Sequence, residues 1–424
     1  MAPVAGEEKQ VVCDSPTIRS WAAWFLASMF FFYAFATRVS PSVMVDALMR
    51  DFRLGAAIFG NLSAIYFYVY ASMQIPIGVM LDRIGPSRLL SGGALVAGAG
   101  CMLFAVANSV TLAYLGRLMI GGGAASSWIG ALAVIAQNFP RQRFALLAGG
   151  TQALGMLGAT MGQLPLSLLV ESYGWRAAMW SLAMMGVVLG LLIVTTLRDR
   201  NTSQATPIGT REGIRIAVRN PQTWLCALFG MAMVGPLVAF AGLWAVPYLM
   251  QVHGMTRTGA AGLASMMFIA WAVGAPILGG ISDHLRKRKI IMVFGASSAT
   301  LLLSMLPFTE HTPIAMLAAL ILGVGLASSA YVVGITLARE SNPDEISGTV
   351  LGLVNTCVIA SGAVLQPIIG YVLDQHWTGV IAEGARIYQP HAFARGLAVL
   401  PAACGMGVFA ALLARDVLKS TPQA

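Results

Sequence analysis

Residues 76–90, PIGVMLDRIGPSRLL, break an apolar run with Gly78, Asp82, Arg83, Gly85 and Arg88, after which the apolar chain resumes. The pattern has a partial copy: Gly279 and Asp283 lie 201 residues after Gly78 and Asp82, and Arg286 and Lys289 supply the trailing bases. One short polar motif constrains little, but a motif duplicated at half the chain length demands an internally repeated fold. The repeat extends further. Gly149, Gln152, Gln163 and Glu171 match Gly352, Asn355, Gln366 and Asp374 at an offset of 203, as Pro140 matches Pro343. Leu48-Met49 recurs as Leu249-Met250 at an offset of 201, so the two registers drift by only two residues.

Between these landmarks the chain consists of apolar runs of about 20 residues, the length that crosses a bilayer as a helix. Runs near 18–45, 57–81, 89–107, 110–136, 145–170 and 177–197 predict six spans, and runs near 222–250, 259–281, 290–308, 313–338, 347–373 and 396–414 predict six more. With 57% hydrophobic and 10% charged residues and a mean hydropathy of +0.76, the chain does not have the composition of a soluble protein. The expected fold is all-α and integral to the membrane, with two pseudo-symmetric six-helix bundles in the same orientation. The bundles cover 18–197 and 222–414, joined by a polar linker over 198–221 and flanked by tails over 1–17 and 415–424.

Orientation follows from the bases. Placing the N-terminus inside puts 18 of the 26 Lys and Arg residues on the cytoplasmic side and only Arg50, Arg53, Arg176, Arg257, Arg386 and Arg395 outside, so both termini are expected in the cytoplasm of a cell whose plasma membrane holds the chain. Glu7, Glu8 and Asp14 precede the first run where a cleavable signal would carry bases, and that run is expected to remain as an anchor. The net charge of +9 is scattered through short loops rather than gathered on one face, which argues against nucleic acid as a partner. The five cysteines are far apart and suggest neither a disulfide framework nor a metal site. No Gly-x-x-x-x-Gly-Lys stretch marks an ATP-driven motor, and no clustered nucleophiles, acids or metal ligands mark an enzyme or a cofactor site.

The loop Gly78-x-x-x-Asp82-Arg83-x-Gly85-x-x-Arg88, with its copy after the eighth run, resembles the signature of the major facilitator superfamily of secondary transporters. Arg117-x-x-x-Gly121-x-Gly123 is similar to a second motif of that family, and the segments 38–44 and 352–367 are similar to bacterial members such as the phagosomal transporters. The resemblance implies a central cavity that opens alternately to either side, with the hairpin as a cytoplasmic gate. The copy departs from the pattern: His284 stands where the first loop has Arg83, and the second glycine is missing. The fifth run also lacks the Gly-Pro pair of many drug/proton antiporters.

Two bases fall inside predicted helices, Arg38 and Arg117. A charge at bilayer depth costs at least about 2.5–3.5 kcal/mol and is kept facing a wet cavity or a partner. One reading makes both arginines anion-recognising forks. The other makes Arg117 a donor to carbonyls within the first bundle and lets Arg38 snorkel outward past Pro41. None of the 17 acids lies well inside a predicted helix, Asp46, Glu171 and Asp374 coming closest, so facilitated diffusion, exchange or co-transport of a proton on the substrate is favoured over an intramembrane proton relay. Gln152 and Gln163 are eleven apart, as are Asn355 and Gln366, and each pair is expected to share a helix face, either gripping a polar substrate or bonding between helices. Ser63, Tyr66, Tyr70 and Gln74 form a polar stripe on the second helix, and Trp244 is a further candidate for substrate contact. Gly158-x-x-x-Gly162 has the small-residue spacing for close helix packing. Asn342-Pro343-Asp344-Glu345 caps the eleventh helix, and its acids are expected to meet Arg83 or Arg88 at the gate.

Taken together, the residues suggest a monomeric transporter of a small polar, carboxylate-bearing solute. The alternatives are efflux of a larger amphipathic or metal-chelate compound, and a membrane sensor without transport.

Overall fold

The computed structural model describes residues 17–197, 210–343, 346–382 and 384–416. The first half comprises α1 (Ile18–Val39), α2 (Val45–Phe52), α3 (Ala56–Ser72), α4 (Gln74–Ala105), α5 (Val110–Ala124), α6 (Ser126–Asn138), α7 (Arg141–Met161) and α8 (Leu164–Thr196). A short α9 (Thr210–Arg219) precedes the second half, which comprises α10 (Pro221–Pro236), α11 (Ala245–His253), α12 (Arg257–Leu285), α13 (Arg288–Met305), α14 (Ile314–Ser328), α15 (Tyr331–Glu340), α16 (Ser347–Gln375), α17 (Pro390–Leu397) and α18 (Val399–Leu413). A two-stranded hairpin, β1 (Ile381–Ala382) with β2 (Ala385–Arg386), lies between α16 and α17.

Ten described segments are long and apolar enough to cross a membrane, and the bent pair α2–α3 makes eleven. One of them, Leu146–Thr196, is 51 residues long, about 76 Å as a helix and so two bilayers deep. Its reversal is at Gly174, where φ is +80 and ψ 167, a conformation closed to residues with a Cβ. Gly85 in the motif loop does the same at φ +79 and ψ 164, turning α4 back on itself. In the copy, Arg286 stands 201 residues after Gly85 in the left-handed helical region, φ +51 and ψ 29. That milder turn explains how the second loop manages without the glycine.

Within the first half, glycines let helices pack at main-chain distance. A Cβ at Gly158 or Gly162 would stand 2.1 Å from Phe32 O or 2.5 Å from Ala36 O, so α7 rides directly on α1. The expected first helix, 18–45, is shorter than predicted. It stops at Val39, continues as a 3-10 turn over Ser40–Val43 and restarts as α2, because Pro41 has no N–H to continue the ladder. The corresponding part of the second half, Leu237–Trp244, is π-helical. The fifth helix is likewise interrupted, at Gly162-Gln163, where Gln163 leaves helical geometry at φ −112 and ψ −78. Gln152 and Gln163 therefore do not lie on one unbroken helix face.

The ends carrying residues 43–57, 171–174, 254–258 and 374–388 form one face of the molecule, here called distal; the motif loop, its copy and the start of α16 lie at the other, proximal face. Among the described residues, the hydrogen bonds that join the halves all lie toward the distal face. Glycines report the same asymmetry. A Cβ at Gly60 would stand 2.6 Å from Gln366 O and one at Gly370 would stand 2.2 Å from Ala56 O, whereas the proximal Gly78, Gly149, Gly348 and Gly352 have nothing within 4 Å. Gly78 has open space around it in this conformation, in which the proximal ends of the halves stand apart.

Candidate functional site

Pro41 shapes the site. Lacking an N–H, it leaves the carbonyl of Thr37, four residues earlier, without its helical donor. Ser40 Oγ donates to that carbonyl at 3.0 Å and Arg117 Nη1 at 2.8 Å. Arg117 Nη2 reaches the carbonyls of Arg38, at 3.4 Å, and Ser63, at 3.3 Å. The Arg117 guanidinium, 1% exposed, is therefore spent on three main-chain oxygens, and it ties the end of α1 to α3.

Arg38 sits one residue before the end of α1 and is differently placed. It is 7% exposed, with no ion-pair partner among the described residues and with Nε lacking any hydrogen bond. Aromatic rings wall it: its guanidinium carbon lies 4.1 Å from the ring centre of Phe35, 5.3 Å from Tyr70, 5.4 Å from Tyr66 and 5.8 Å from Phe67. The ring faces partly offset the cost of burying the cation, each contributing about 0.5–2 kcal/mol, without supplying a counter-charge. Tyr66 Oη donates to Ala34 O at 3.1 Å and its ring stacks on Tyr70, so the tyrosines are held in place. Ser63 Oγ and Ser127 Oγ are also buried without partners. Phe67 presses on Gly362 of α16, which places the cage against the second half. Of the predicted stripe, Ser63, Tyr66 and Tyr70 are brought to Arg38, while Gln74 Nε2 donates to Tyr70 O at 3.2 Å.

The other predicted candidates lie elsewhere. Gln163, fully buried, donates to Ser42 Oγ at 3.3 Å and to the carbonyl of Ala241, and accepts from Ser265 Oγ at 3.1 Å. Its repeat partner Gln366 donates to Val238 O at 2.8 Å and accepts from Trp244 Nε1 through its own carbonyl at 3.1 Å. The two glutamines thus converge on the π-helical stretch Leu237–Trp244, and with Trp244 they belong to the distal closure. Gln152 and Asn355, toward the proximal face, are half-buried.

At the proximal face Arg83 and Arg88 are exposed. The side chain of Asp82 lies outside the described residues, as do Asp344 and Glu345, so their expected pairing with the arginines is not part of this description. In the copy, Gly279 faces Val332 at 3.7 Å, and Asp283 pairs with Arg288, which also holds Glu340 at 2.8 Å. The second loop is therefore fastened within its own half, through Arg288 and through Lys289, whose N donates to Asp416 Oδ1 at 2.9 Å and whose Nζ donates to Leu412 O at 2.5 Å. The three acids nearest the membrane, Asp46, Glu171 and Asp374, all serve the distal face: Asp46 pairs with Arg257 at 2.7 Å, Glu171 accepts from Thr258 N at 3.0 Å, and Asp374 accepts from Ala57 N at 2.9 Å. Sequence reasoning missed Phe35, Phe67 and Ser127. The three-residue spacing of Phe35 from Arg38 was the available signal for the first of these.

Residues 26–367 match the family model described as Major Facilitator Superfamily. The chain is 24% identical over 376 residues to a Cupriavidus necator protein named "Probable sulfoacetate transporter SauU", covering 82% of this chain and 86% of that one. It is 21% identical to the Bacillus subtilis protein named "Probable galactarate/D-glucarate transporter GudP", covering 83% and 86%, and 27% identical to an "MFS-type efflux pump" of Mycolicibacterium smegmatis, covering 64% of each chain. Among solved structures, it superposes on a bacterial homolog of the human lysosomal transporter Spinster, in its inward-facing and unoccupied conformation, with a TM-score of 0.77, 19% identity, and coverage of 94% of this chain and 96% of that one.

Proposed function

Because this chain belongs to the Major Facilitator Superfamily, a family of membrane transporters, we propose that it carries a small organic anion across the bilayer by alternating access, with Arg38 as the group that recognises the anion. The observation that carries this reading is the state of Arg38: a guanidinium 7% exposed, walled by four aromatic rings, with an unpartnered Nε and no ion-paired acid among the described residues. A buried cation without a counter-charge is costly, and an arriving carboxylate or sulfonate supplies both the charge and the acceptors that the site lacks. Arg117 is a positioning residue that holds the end of α1 so that Arg38 projects into the cage. The printed names of the Cupriavidus and Bacillus relatives, a sulfoacetate transporter and a galactarate/glucarate transporter, support an organic anion as cargo.

The base distribution puts the distal face outside and both termini in the cytoplasm, and the bacterial relatives favour the inner membrane. The conformation described is then inward-facing. Gly78, Gly149, Gly348 and Gly352, bare in this state, are the close-approach surfaces for the opposite state, as Gly60 and Gly370 are in this one. With Asp46, Glu171 and Asp374 committed to the distal closure, no carboxylate among the described residues pairs with Arg38 to relay a proton, which favours uniport, exchange or entry of the anion with its own proton. Efflux is the second reading, favoured by the name of the Mycolicibacterium relative. A thermal-shift screen of the purified protein against sulfoacetate, galactarate, glucarate and neutral sugars tests the proposal: stabilisation by the anions supports it, and stabilisation by the neutral solutes alone contradicts it.

A further inference from the structure

The distal closure is built unequally on its two sides. On one side α3 and α16 touch main chain to main chain at Gly60 and Gly370. There Asp374 accepts from Ala56 N at 3.0 Å, Ala57 N at 2.9 Å, Arg386 Nη1 at 3.1 Å and Tyr388 Oη at 2.6 Å. The absent side chain of Gly55 makes room for this carboxylate, since a Cβ there would lie 2.6 Å from Asp374 Oδ2. On the other side α8 and the adjoining α2 meet α12 through bonds that, among the described residues, each have a side chain at one end at least, including Arg257 Nη1 to Val43 O at 2.6 Å and the buried Ser265 Oγ to Gln163 Oε1 at 3.1 Å. Glu171 accepts from Thr258 N at 3.0 Å and Thr258 Oγ1 at 2.7 Å, and Asp46 holds Arg257 through two bonds of 2.8 and 2.7 Å. Ser167 reaches Thr258 only at 3.4 Å, and Leu164 lies 3.5 Å from where a Gly262 side chain would begin.

Glu171 and Asp374 are repeat partners, 203 residues apart, and each caps the first turn of a helix belonging to the other half, where a carboxylate is favoured by the exposed N–H groups. One device therefore occurs twice. At α3–α16 it sits on a main-chain seam, and at α8–α12 it sits among side-chain bonds, with the Asp46–Arg257 pair and the buried Gln163–Ser265 bond beside it. Main-chain contacts part only when whole helices separate, whereas exposed side-chain bonds break singly.

We infer that the distal face opens as a gate hinged on α3–α16 and latched onto α12 by Glu171 of α8 and Asp46 of α2, so that the route to the outside runs along the α8–α12 side. The inference rests on the alternating-access reading given above. It is tested with spin-label pairs on the full chain in nanodiscs: Leu168→Cys with Met266→Cys across α8–α12, Ile58→Cys with Tyr371→Cys across α3–α16, and Leu146→Cys with Leu285→Cys at the proximal face. All six positions are exposed. In an otherwise unaltered protein and in Glu171→Gln, the latch predicts that the substitution raises the long-distance population at α8–α12 by roughly two- to fivefold, the factor for losing one charge at a helix terminus, and leaves α3–α16 unchanged. Equal lengthening of both seams, lengthening of α3–α16 alone, or no change in either overturns it. If α8–α12 opens while the proximal pair does not shorten, the hinge stands and alternating access fails. If the proximal pair shortens with both seams opening equally, alternating access stands and the hinge fails.

Discussion

Arg117 replaces the hydrogen-bond donor that Pro41 removes. Its Nη1 lies 2.8 Å from the Thr37 carbonyl, the oxygen that residue 41 would bond in an unbroken helix. Two consequences follow for stability. Arg117→Met removes three hydrogen bonds, but the Thr37 carbonyl keeps Ser40 Oγ and the Ser63 carbonyl lies inside α3, so chiefly the Arg38 carbonyl is stranded and a loss of about 1–3 kcal/mol is expected. Pro41→Ala restores a main-chain donor, and the double variant is expected to recover roughly 1 kcal/mol of that loss. Thermal melts of the four proteins of the cycle in one detergent measure the coupling, and strictly additive losses would sever Arg117 from the helix break.

The proximal glycines carry a prediction of opposite sign for binding and transport. Gly352 has nothing within 4 Å, so Gly352→Leu is expected to leave the melting temperature and the binding of organic anions nearly unchanged. Closure of the proximal face needs that space, and transport is expected to fall at least tenfold. Counterflow in proteoliposomes set beside equilibrium binding checks this. A variant that transports at the normal rate would mean that the proximal ends never approach at Gly352.

Tyr388, in the loop beyond the hairpin, gives a pH dependence. Burial, and then its hydrogen bond to the Asp374 carboxylate, raise its phenol well above the usual value of about 10. A raised folded-state value contributes stability that is fully present below about pH 10 and is lost as the pH rises through the folded value. Alkaline melts should therefore show a steeper loss above pH 10 for the unaltered protein than for Tyr388→Phe. Equal slopes would mean that Tyr388 does not guard Asp374.

Much of the architecture was legible because duplication and apolar length are properties of the sequence alone. The 203-residue offset linked Glu171 to Asp374 before their shared role was visible. The stripe Ser63, Tyr66 and Tyr70 was legible because three- and four-residue spacing fixes a helix face. The interruptions at Pro41 and Gly162-Gln163 were not, since membrane helices tolerate both residue types, and only neighbouring helices decide whether the ladder breaks. Local pattern leaves Gln163 open between gripping a substrate and bonding between helices, and makes Trp244 a candidate for substrate contact. Their place in the distal closure depends on how the two halves meet, which no local pattern encodes. Arg257 was read only as an outer base, because its partner Asp46 is 211 residues away.

Arg38 is the point on which the functional account stands or falls. Among the described residues its guanidinium has no ion-pair partner and its Nε no hydrogen bond, so Arg38→Gln gives up ring contacts together with an uncompensated buried charge and is expected to leave the melting temperature nearly unchanged. The decisive measurement is the equilibrium binding of sulfoacetate, galactarate and glucarate to the unaltered protein, Arg38→Lys and Arg38→Gln, with melting temperatures recorded alongside. The account predicts that at least one of these anions binds the unaltered protein, at least tenfold more weakly to Arg38→Lys and not measurably to Arg38→Gln, in folded proteins of undiminished stability. Anion binding of equal strength in all three proteins would contradict it.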